Sequence, residues 1–245
     1  MNEQELLHYS RQIILPEIDE SGQQRLNNAK VAIVGLGGLG ASASFYLAAA
    51  GVGHLVLIDH DLVELSNLQR QIIHSKDTVG EAKVDSAKQR LLNLNPYIQV
   101  TAQRQRVDKH NSGELLKDTD LILDCSDNFD TRFLLNQLSI DLKVPLVHGS
   151  AIKFHGHVTT FNLKQSSPCY YCLFDDKDQN EQNCEDQGVF PPIVGLIGTM
   201  QASEALKVIL GLPTLDGTLQ SLNLLNNQNK TYKISKNPSC SVCSF

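Results

Sequence analysis

Residues 30–59 read KVAIVGLGGLGASASFYLAAAGVGHLVLID. An apolar, β-branched run, Val31 to Val34, meets a glycine cluster at Gly35, Gly37, Gly38 and Gly40. Small residues suited to a helix follow, Ala41 to Ala50, and a Gly-Val-Gly turn leads into a second apolar run, Leu55 to Ile58, that ends in Asp59. The order is strand, glycine turn, helix, strand, acid. Glycines allow the sharp turn and a close backbone approach, and the N–H groups and dipole of the helix start favour an anion. Asp59 lies 19 residues after Gly40, where such units place a carboxylate that accepts ribose hydroxyl bonds. The stretch predicts an adenine-nucleotide site without saying which nucleotide.

Outward from it, strand and helix patterns alternate. A polar arm, 1–28, carries Leu6, Leu7, Ile13 and Ile14 and is interrupted at Pro16. Residues 60–75 mix polar and apolar without a period and predict a loop with a short helix. Residues 81–94 have Val84, Ala87, Leu91 and Leu94 at helical spacings, stopped by Asn95-Pro96. Strands are expected over 98–102, 121–123 and 145–152, and a helix over 128–142 with Phe133, Leu134 and Leu138 inward. The alternation predicts a Rossmann-like α/β fold, a mostly parallel sheet with helices on both faces. After it the period changes. Residues 156–163 alternate like an exposed antiparallel strand, 194–210 return to helical spacing, and the last thirty residues suggest a hairpin, a linker and a cysteine pair. Residues 175–186 hold six acids, one lysine and no large apolar side chain, which predicts a mobile surface loop. The expected organisation is one domain over 1–245: the arm 1–28, a nucleotide-binding half 29–153, and a half 154–245 of antiparallel strands and a zinc-bound tail.

The chain of 245 residues can bury a large core without disulfides. Its net charge of -6 argues against a nucleic-acid partner. The longest apolar candidate, Phe45 to Ile58, is split by Gly51, Gly53 and His54, so no stretch is expected to reach the length of a membrane span. MNEQELLHYSRQ carries acids and no signal-peptide core. The expected location is cytoplasmic, where the six cysteines are thiols or metal ligands.

Four of these cysteines form two knuckles, Cys169 to Cys172 and Cys240 to Cys243. Each spacing lets two sulfurs reach one ion, and four thiolates suit a closed, structural Zn²⁺ tetrahedron. The alternative is two unrelated pairs, one of them redox-active, because 67 residues separate the knuckles. Cys125 ends an apolar run and reads as core. Cys184 in the polar loop is open between a loop residue and a nucleophile, since Glu181, Glu185 and Asp186 disfavour a thiolate there. His148, His155 and His157 read as surface or core residues. Arg11 by itself reads as a solvated arginine.

Arg70 and Lys83 follow the second strand, and Asp127 follows the run Leu121 to Leu123. All three fall at the carboxyl edge of the predicted sheet, where open α/β sheets bind ligands. Two cations and a carboxylate favour ATP with Mg²⁺ over the NAD that a dehydrogenase would take.

GLGGLG, Asp59, SNLQRQ at 66–71, Lys83, DCSDNFDTR at 124–132, CYYC, the NCEDQG loop and CSVC together resemble the ThiF/MoeB/HesA family, bacterial relatives of ubiquitin-activating enzymes. The resemblance runs from Tyr9-Ser10-Arg11-Gln12 almost to the C-terminus. It implies a homodimer that uses ATP to adenylate the C-terminal Gly-Gly of a small ubiquitin-like sulfur carrier protein. It implies phosphate contacts from Gly35, Gly37, Gly38 and Gly40, a ribose contact from Asp59, and nucleotide contacts from Asp61, Ser66, Asn67, Leu68, Gln69, Arg70 and Lys83. It implies Mg²⁺ at Asp127, a pocket wall from Asn128, Phe129, Asp130 and Thr131, and zinc on Cys169, Cys172, Cys240 and Cys243. Arg11 would enter the partner subunit's site. The family often has Arg inside the first knuckle, where this chain has Tyr171. CLFDDKDQNEQNCEDQGV and GTMQASEALK favour the thiamine branch with its ThiS-like carrier. HSKDTVGEAK and HGSAI look more like the molybdopterin branch with its MoaD-like carrier. In the thiamine branch the cysteine matching Cys184 is linked to sulfur transfer, and a sulfurtransferase or cysteine desulfurase is a candidate partner. A dehydrogenase or a non-catalytic zinc adaptor are the rival classes.

Overall fold

The structure is a computed structural model that describes residues 1–174 and 187–244. The arm is two helices, α1 (Glu3–Ile13) and α2 (Asp19–Asn28), separated around Pro16. Then come β1 (Lys30–Val34), α3 (Gly38–Ala49), β2 (His54–Ile58), α4 (Lys83–Leu94), β3 (Gln99–Gln103), a one-turn α5 (Ser112–Leu115), β4 (Leu121–Asp124), α6 (Phe129–Leu142) and β5 (Leu146–Ile152). The second half contributes β6 (His155–Phe161), α7 (Pro191–Leu210), β7 (Thr218–Asn223) and β8 (Gln228–Lys233).

All eight strands form one sheet in the order β3-β2-β1-β4-β5-β6-β7-β8. The first five are parallel and the last three antiparallel. The predicted fold class holds. Strand residues point alternately to two cores because side chains alternate across a pleated sheet. Val31, Ile33, Leu55, Leu57, Leu121 and Leu123 pack with α3, α4 and α7. Ala32, Val34, Val56, Ile58 and Ile122 pack with α6 and the turn at Tyr170. Burial on both faces is why the parallel strands are apolar runs. The first core draws on residues from Leu26 to Leu222, so the two halves share it.

Two expectations fail. Residues 156–163 do not form an exposed strand: β6 lies between β5 and β7, and Val158, Thr159, Thr160 and Phe161 are buried. The polar members of the alternation are satisfied inside. Thr159 Oγ1 donates to the Thr218 carbonyl at 2.8 Å and Thr160 Oγ1 to Glu204 Oε2 at 3.1 Å. The statement that no stretch reaches a membrane-span length also fails, because α7 has the length and apolarity to do so. Its residues Ile193, Val194, Ile197, Gln201 and Glu204 are buried against α3 and the sheet instead.

Candidate active site

Strand order reverses between β1 and β4, so the connections leaving these neighbours run to opposite faces and open a crevice. Two turns wall it. The first follows β1. Gly35 takes a φ of +92°, a region that disfavours any Cβ, and a Cβ there would lie 2.7 Å from the Cys125 carbonyl. A Cβ on Gly40 would sit 2.0 Å from the Gly35 carbonyl. Helix α3 starts after Gly37 with no side-chain cap, the form in which a helix start offers N–H groups to an anion.

Asp59 braces this turn. Its Oδ2 accepts the Leu36 N–H at 2.7 Å and its Oδ1 the Asp61 N–H at 2.9 Å. Each oxygen keeps a second lone pair, so the brace is compatible with a further hydroxyl bond. Buried His74 reaches the other side of the turn, with Nε2 3.4 Å from the Leu36 carbonyl and Nδ1 2.9 Å from Ser86 Oγ on α4. Burial holds the His74 pKa below its usual value.

Lys83, the first residue of α4, is 6% exposed, and its Nζ bonds Asp61 Oδ2 at 2.8 Å. Burial alone would raise the Asp61 pKa, but the hydrogen bond and charge of Lys83 hold it below the usual carboxylate range. A two-residue bridge, Leu62 to Ala82, closes the intervening loop. Within that loop Asn67 is buried and accepts the Glu64 N–H through Oδ1, while its own carbonyl accepts the N–H groups of Arg70 and Gln71. Arg70 Nη1 donates to the Ser66 carbonyl at 3.2 Å. Leu68 and Arg70 are half-buried, and Ser66 and Gln69 exposed. Gln71 lies against the glycine turn: a Cβ on Gly37 would be 3.7 Å from its Nε2. The fold thus brings the SNLQRQ loop, Asp59, Asp61 and Lys83 to the glycine turn.

The second turn follows β4. Asp124 ends the strand, paired in register with Val34 and His148, and both Asp124 and His148 are fully buried. Asp124 Oδ2 accepts from His148 Nδ1 at 2.7 Å, and Oδ1 accepts from the Ser126 N–H at 3.0 Å and Ser126 Oγ at 2.6 Å. Arg132 Nη2 donates to the Ser126 carbonyl at 3.1 Å, and Gln201 Nε2 to the Asp124 carbonyl at 2.7 Å. Burial works against the Asp124 charge, but the bond from His148, the Arg132 charge and Ser126 outweigh it and keep the pKa low. Burial also lowers the His148 pKa. Its Nε2 has no hydrogen-bond partner among the described residues, so a neutral ring with its proton on Nδ1 fits. Burial, then His148 and Arg132, push His157 down to about 3. Asp127 is exposed, touched by Asn128 Nδ2 at 3.2 Å. Asn128 caps α6 by accepting the Thr131 N–H at 2.9 Å. Asp130 is exposed, and Phe129 carries the Arg132 guanidinium over its ring at 5.3 Å.

Sequence reasoning missed His74, Gln71, Asp124, Ser126, Arg132, His148 and Gln201. Gln71 lay inside the SNLQRQ run and Asp124, Ser126 and Arg132 inside DCSDNFDTR, and Asp124, like Asp59, is an acid ending a buried apolar run.

Arg11 is not brought to this crevice. Tyr9 accepts from Asn95 Nδ2 at 2.8 Å, and Gln12 Nε2 donates to the Ala50 carbonyl at 2.8 Å. These contacts pin α1 to the far end of α3, about 18 Å from the glycine turn at 1.5 Å per residue. Cys184 lies outside the described residues, as does the rest of 175–186. His155 is exposed and His157 half-buried, and no described metal-type cluster contains either.

The four knuckle cysteines meet. Cys169 and Cys172 sulfurs are 3.8 Å apart, Cys169 and Cys240 3.7 Å, and Cys172 and Cys243 3.5 Å. A tetrahedron with Zn–S bonds of about 2.3 Å has edges of about 3.8 Å. Burial and crowding by the other thiols push Cys169 well up and Cys243 up to about 11. Four thiolates therefore need a cation between them, and the donor set fits zinc.

The sequence pattern of the ThiF family matches residues 9–242. The molybdopterin-synthase adenylyltransferase of Escherichia coli K12 is 44% identical over 244 residues, covering 99% of this chain and 98% of its own. The sulfur carrier protein ThiS adenylyltransferase of the same organism is 42% identical over 247 residues, covering 99% and 97%. A Culex quinquefasciatus protein named adenylyltransferase and sulfurtransferase MOCS3 is 47% identical over 92% of this chain and 51% of its own. Among solved structures, E. coli MccB crystallised with MccA-N7isoASN superposes with a TM-score of 0.85 at 23% identity, over 96% of this chain and 74% of its own, which speaks to the fold alone. PaaA superposes with a TM-score of 0.82 at 26% identity, over 97% and 76%. The glycine turn, the SNLQRQ loop, Asp127, the first knuckle and Cys240 thus lie inside one matched pattern, and the chain belongs to the ThiF family.

Proposed function

We propose that this chain is an adenylyltransferase that activates the C-terminal carboxylate of a small ubiquitin-like sulfur carrier protein with ATP. What supports this reading is the switch point between β1 and β4: an uncapped helix start after the glycine turn, the SNLQRQ loop and Lys83 following β2, and Asp127 on the turn after β4. The names of the full-length relatives agree. The glycine turn holds phosphate oxygens, Asp59 the ribose, and Lys83 and Arg70 the charge on the phosphates. A carrier carboxylate oxygen attacks the α-phosphorus, the bond to the bridging oxygen breaks, and pyrophosphate leaves. The nucleophile is already anionic at neutral pH, so no general base is required. The difficulty is bringing an anion to a polyanion, which fixed cations and positioning reduce. Asp127 would hold Mg²⁺, which neutralises phosphate charge when bound. Zinc on the four cysteines would tie the tail to the Cys169 turn.

We assign the carrier to the thiamine type on the segments 172–189 and 198–207. The molybdopterin type is the second reading, favoured by 74–83 and 148–152. Two copies would form the working unit. With α1 pinned at the far end of α3, Arg11 can serve only another subunit's crevice. Exposed Leu7, Ile14 and Leu15 beside it are apolar surface for that contact. A sulfurtransferase or cysteine desulfurase would be a further partner, and a reducing cytoplasm the setting.

The test is ATP–pyrophosphate exchange with carriers of each type. One of the two should support exchange, and Arg70→Ala and Lys83→Ala should each reduce it by about 10²-fold or more with circular dichroism unchanged. Near-normal exchange in both variants would overturn the assignment. Nicotinamide-cofactor binding that persists in both would point to a dehydrogenase.

A further inference from the structure

We propose that His148, acting through Asp124, is a positioning residue for the turn that presents Asp127. The inference rests on the reading of Asp127 as a site residue and extends it to a residue on a different strand. Asp127 is held by little of its own. Among the described residues its side chain has one hydrogen-bond partner, its chain neighbour through Asn128 Nδ2, so its place follows from the backbone of 125–128. That backbone hangs on Asp124. One carboxylate oxygen takes both the N–H and the hydroxyl of Ser126, and Arg132 takes the Ser126 carbonyl. The other oxygen has one side-chain donor among the described residues, His148 Nδ1.

A buried carboxylate stays anionic only while its oxygens are supplied with donors. Without His148, Asp124 would lose the partner of Oδ2 at a site with no access to water. The cheaper state is then a protonated acid. The proton would sit on Oδ2 and leave Oδ1 a neutral acceptor, which holds the Ser126 N–H and hydroxyl more weakly than a charged oxygen does, and the turn slackens. His148 is itself oriented. Its ring meets Tyr170 edge-on at 5.0 Å and lies 5.5 Å from His157, whose ring reaches Ser150 Oγ. Among the described residues its one side-chain hydrogen bond is to Asp124, so its effect is indirect.

The experiment compares His148→Ala, His148→Gln and Ser126→Ala with the wild type. Amide hydrogen exchange is followed at 126–128 in the nucleotide-free protein, and the Mg²⁺-ATP concentration for half-maximal pyrophosphate exchange is measured in parallel. In His148→Ala, exchange at 126–128 should rise at least about tenfold while β1 and β2 keep their protection. The half-saturating Mg²⁺-ATP should rise about tenfold, as for other residues that orient a contact group. Glutamine can donate from a similar reach, so His148→Gln should recover most of both. Ser126→Ala leaves the core filled and should raise exchange at the same amides, which covers the case in which His148→Ala does not fold. Unchanged exchange at 126–128 in His148→Ala, or in Ser126→Ala if that variant alone folds, would overturn the proposal. So would His148→Gln as loose as His148→Ala. If the wild type forms no adenylate with any carrier yet His148→Ala loosens the turn, the functional reading falls and the brace stands.

Discussion

The two turns that wall the crevice are built by opposite means. The turn after β1 owes its shape to missing side chains: Gly35 and Gly40 leave room where a Cβ would strike a carbonyl. The turn after β4 owes its shape to charge, a buried carboxylate supplied from β5 and by its own Ser126, whose carbonyl in turn accepts from Arg132 on α6. Both are braced by an acid that accepts backbone N–H groups, Asp59 for one and Asp124 for the other. Steric shape is written in consecutive residues. Electrostatic shape is assembled from residues far apart in the chain.

The comparison can be broken most sharply on the steric side. Gly40→Ala forces a carbon onto the Gly35 carbonyl, and overpacking against backbone costs about 3 kcal/mol or more. A fall in Tm of roughly 10 °C is expected, with nucleotide binding lost. A variant that melts within 2 °C or so of the wild type would show that the turn has slack.

The charged side should be the more acid-sensitive. The folded protein keeps His148 and His157 neutral below the usual histidine pKa, so the unfolded chain takes up protons first. Stability is then fully present above about pH 6.5 and declines as pH falls from there, by up to about 1.4 kcal/mol per unit for each histidine, with the His157 contribution lost down to about 3. Asp124 acts in the same direction at lower pH. Its folded pKa is depressed, so its contribution is present above the ordinary carboxylate pKa and lost as pH falls through the folded value. Calorimetry from pH 8 to 4 should show the decline, and His157→Gln should flatten it more than the same change at His74 on the glycine side. Equal flattening would erase the difference. The smallest effect belongs to the cap of α6: Asn128→Ala removes the bond to the Thr131 N–H and costs about 1 kcal/mol, or roughly 2–4 °C in a chain of this size.

This contrast also explains what could be read in the chain beforehand. The unit 30–59, the alternation that follows and the switch to antiparallel strands were legible because each is a local pattern. So were Lys83, the SNLQRQ loop and the four cysteines, which carry fixed spacings. The pairing of Asp124 with His148 and Gln201 was not, since nothing local links residues 24 and 77 positions apart. Strand β6 misled for a related reason: its threonines look exposed until Glu204 and the Thr218 carbonyl arrive from elsewhere in the fold.

One helix meets both walls. On α7 a Cβ at Gly198 would lie 2.2 Å from the Leu39 carbonyl at the start of α3, and Gln201, three residues on, holds the carbonyl of Asp124. Residues three apart share a helix face. The gap between the two turns is therefore gauged by a single helical turn from the other half of the chain, which acts as a calliper set to one width.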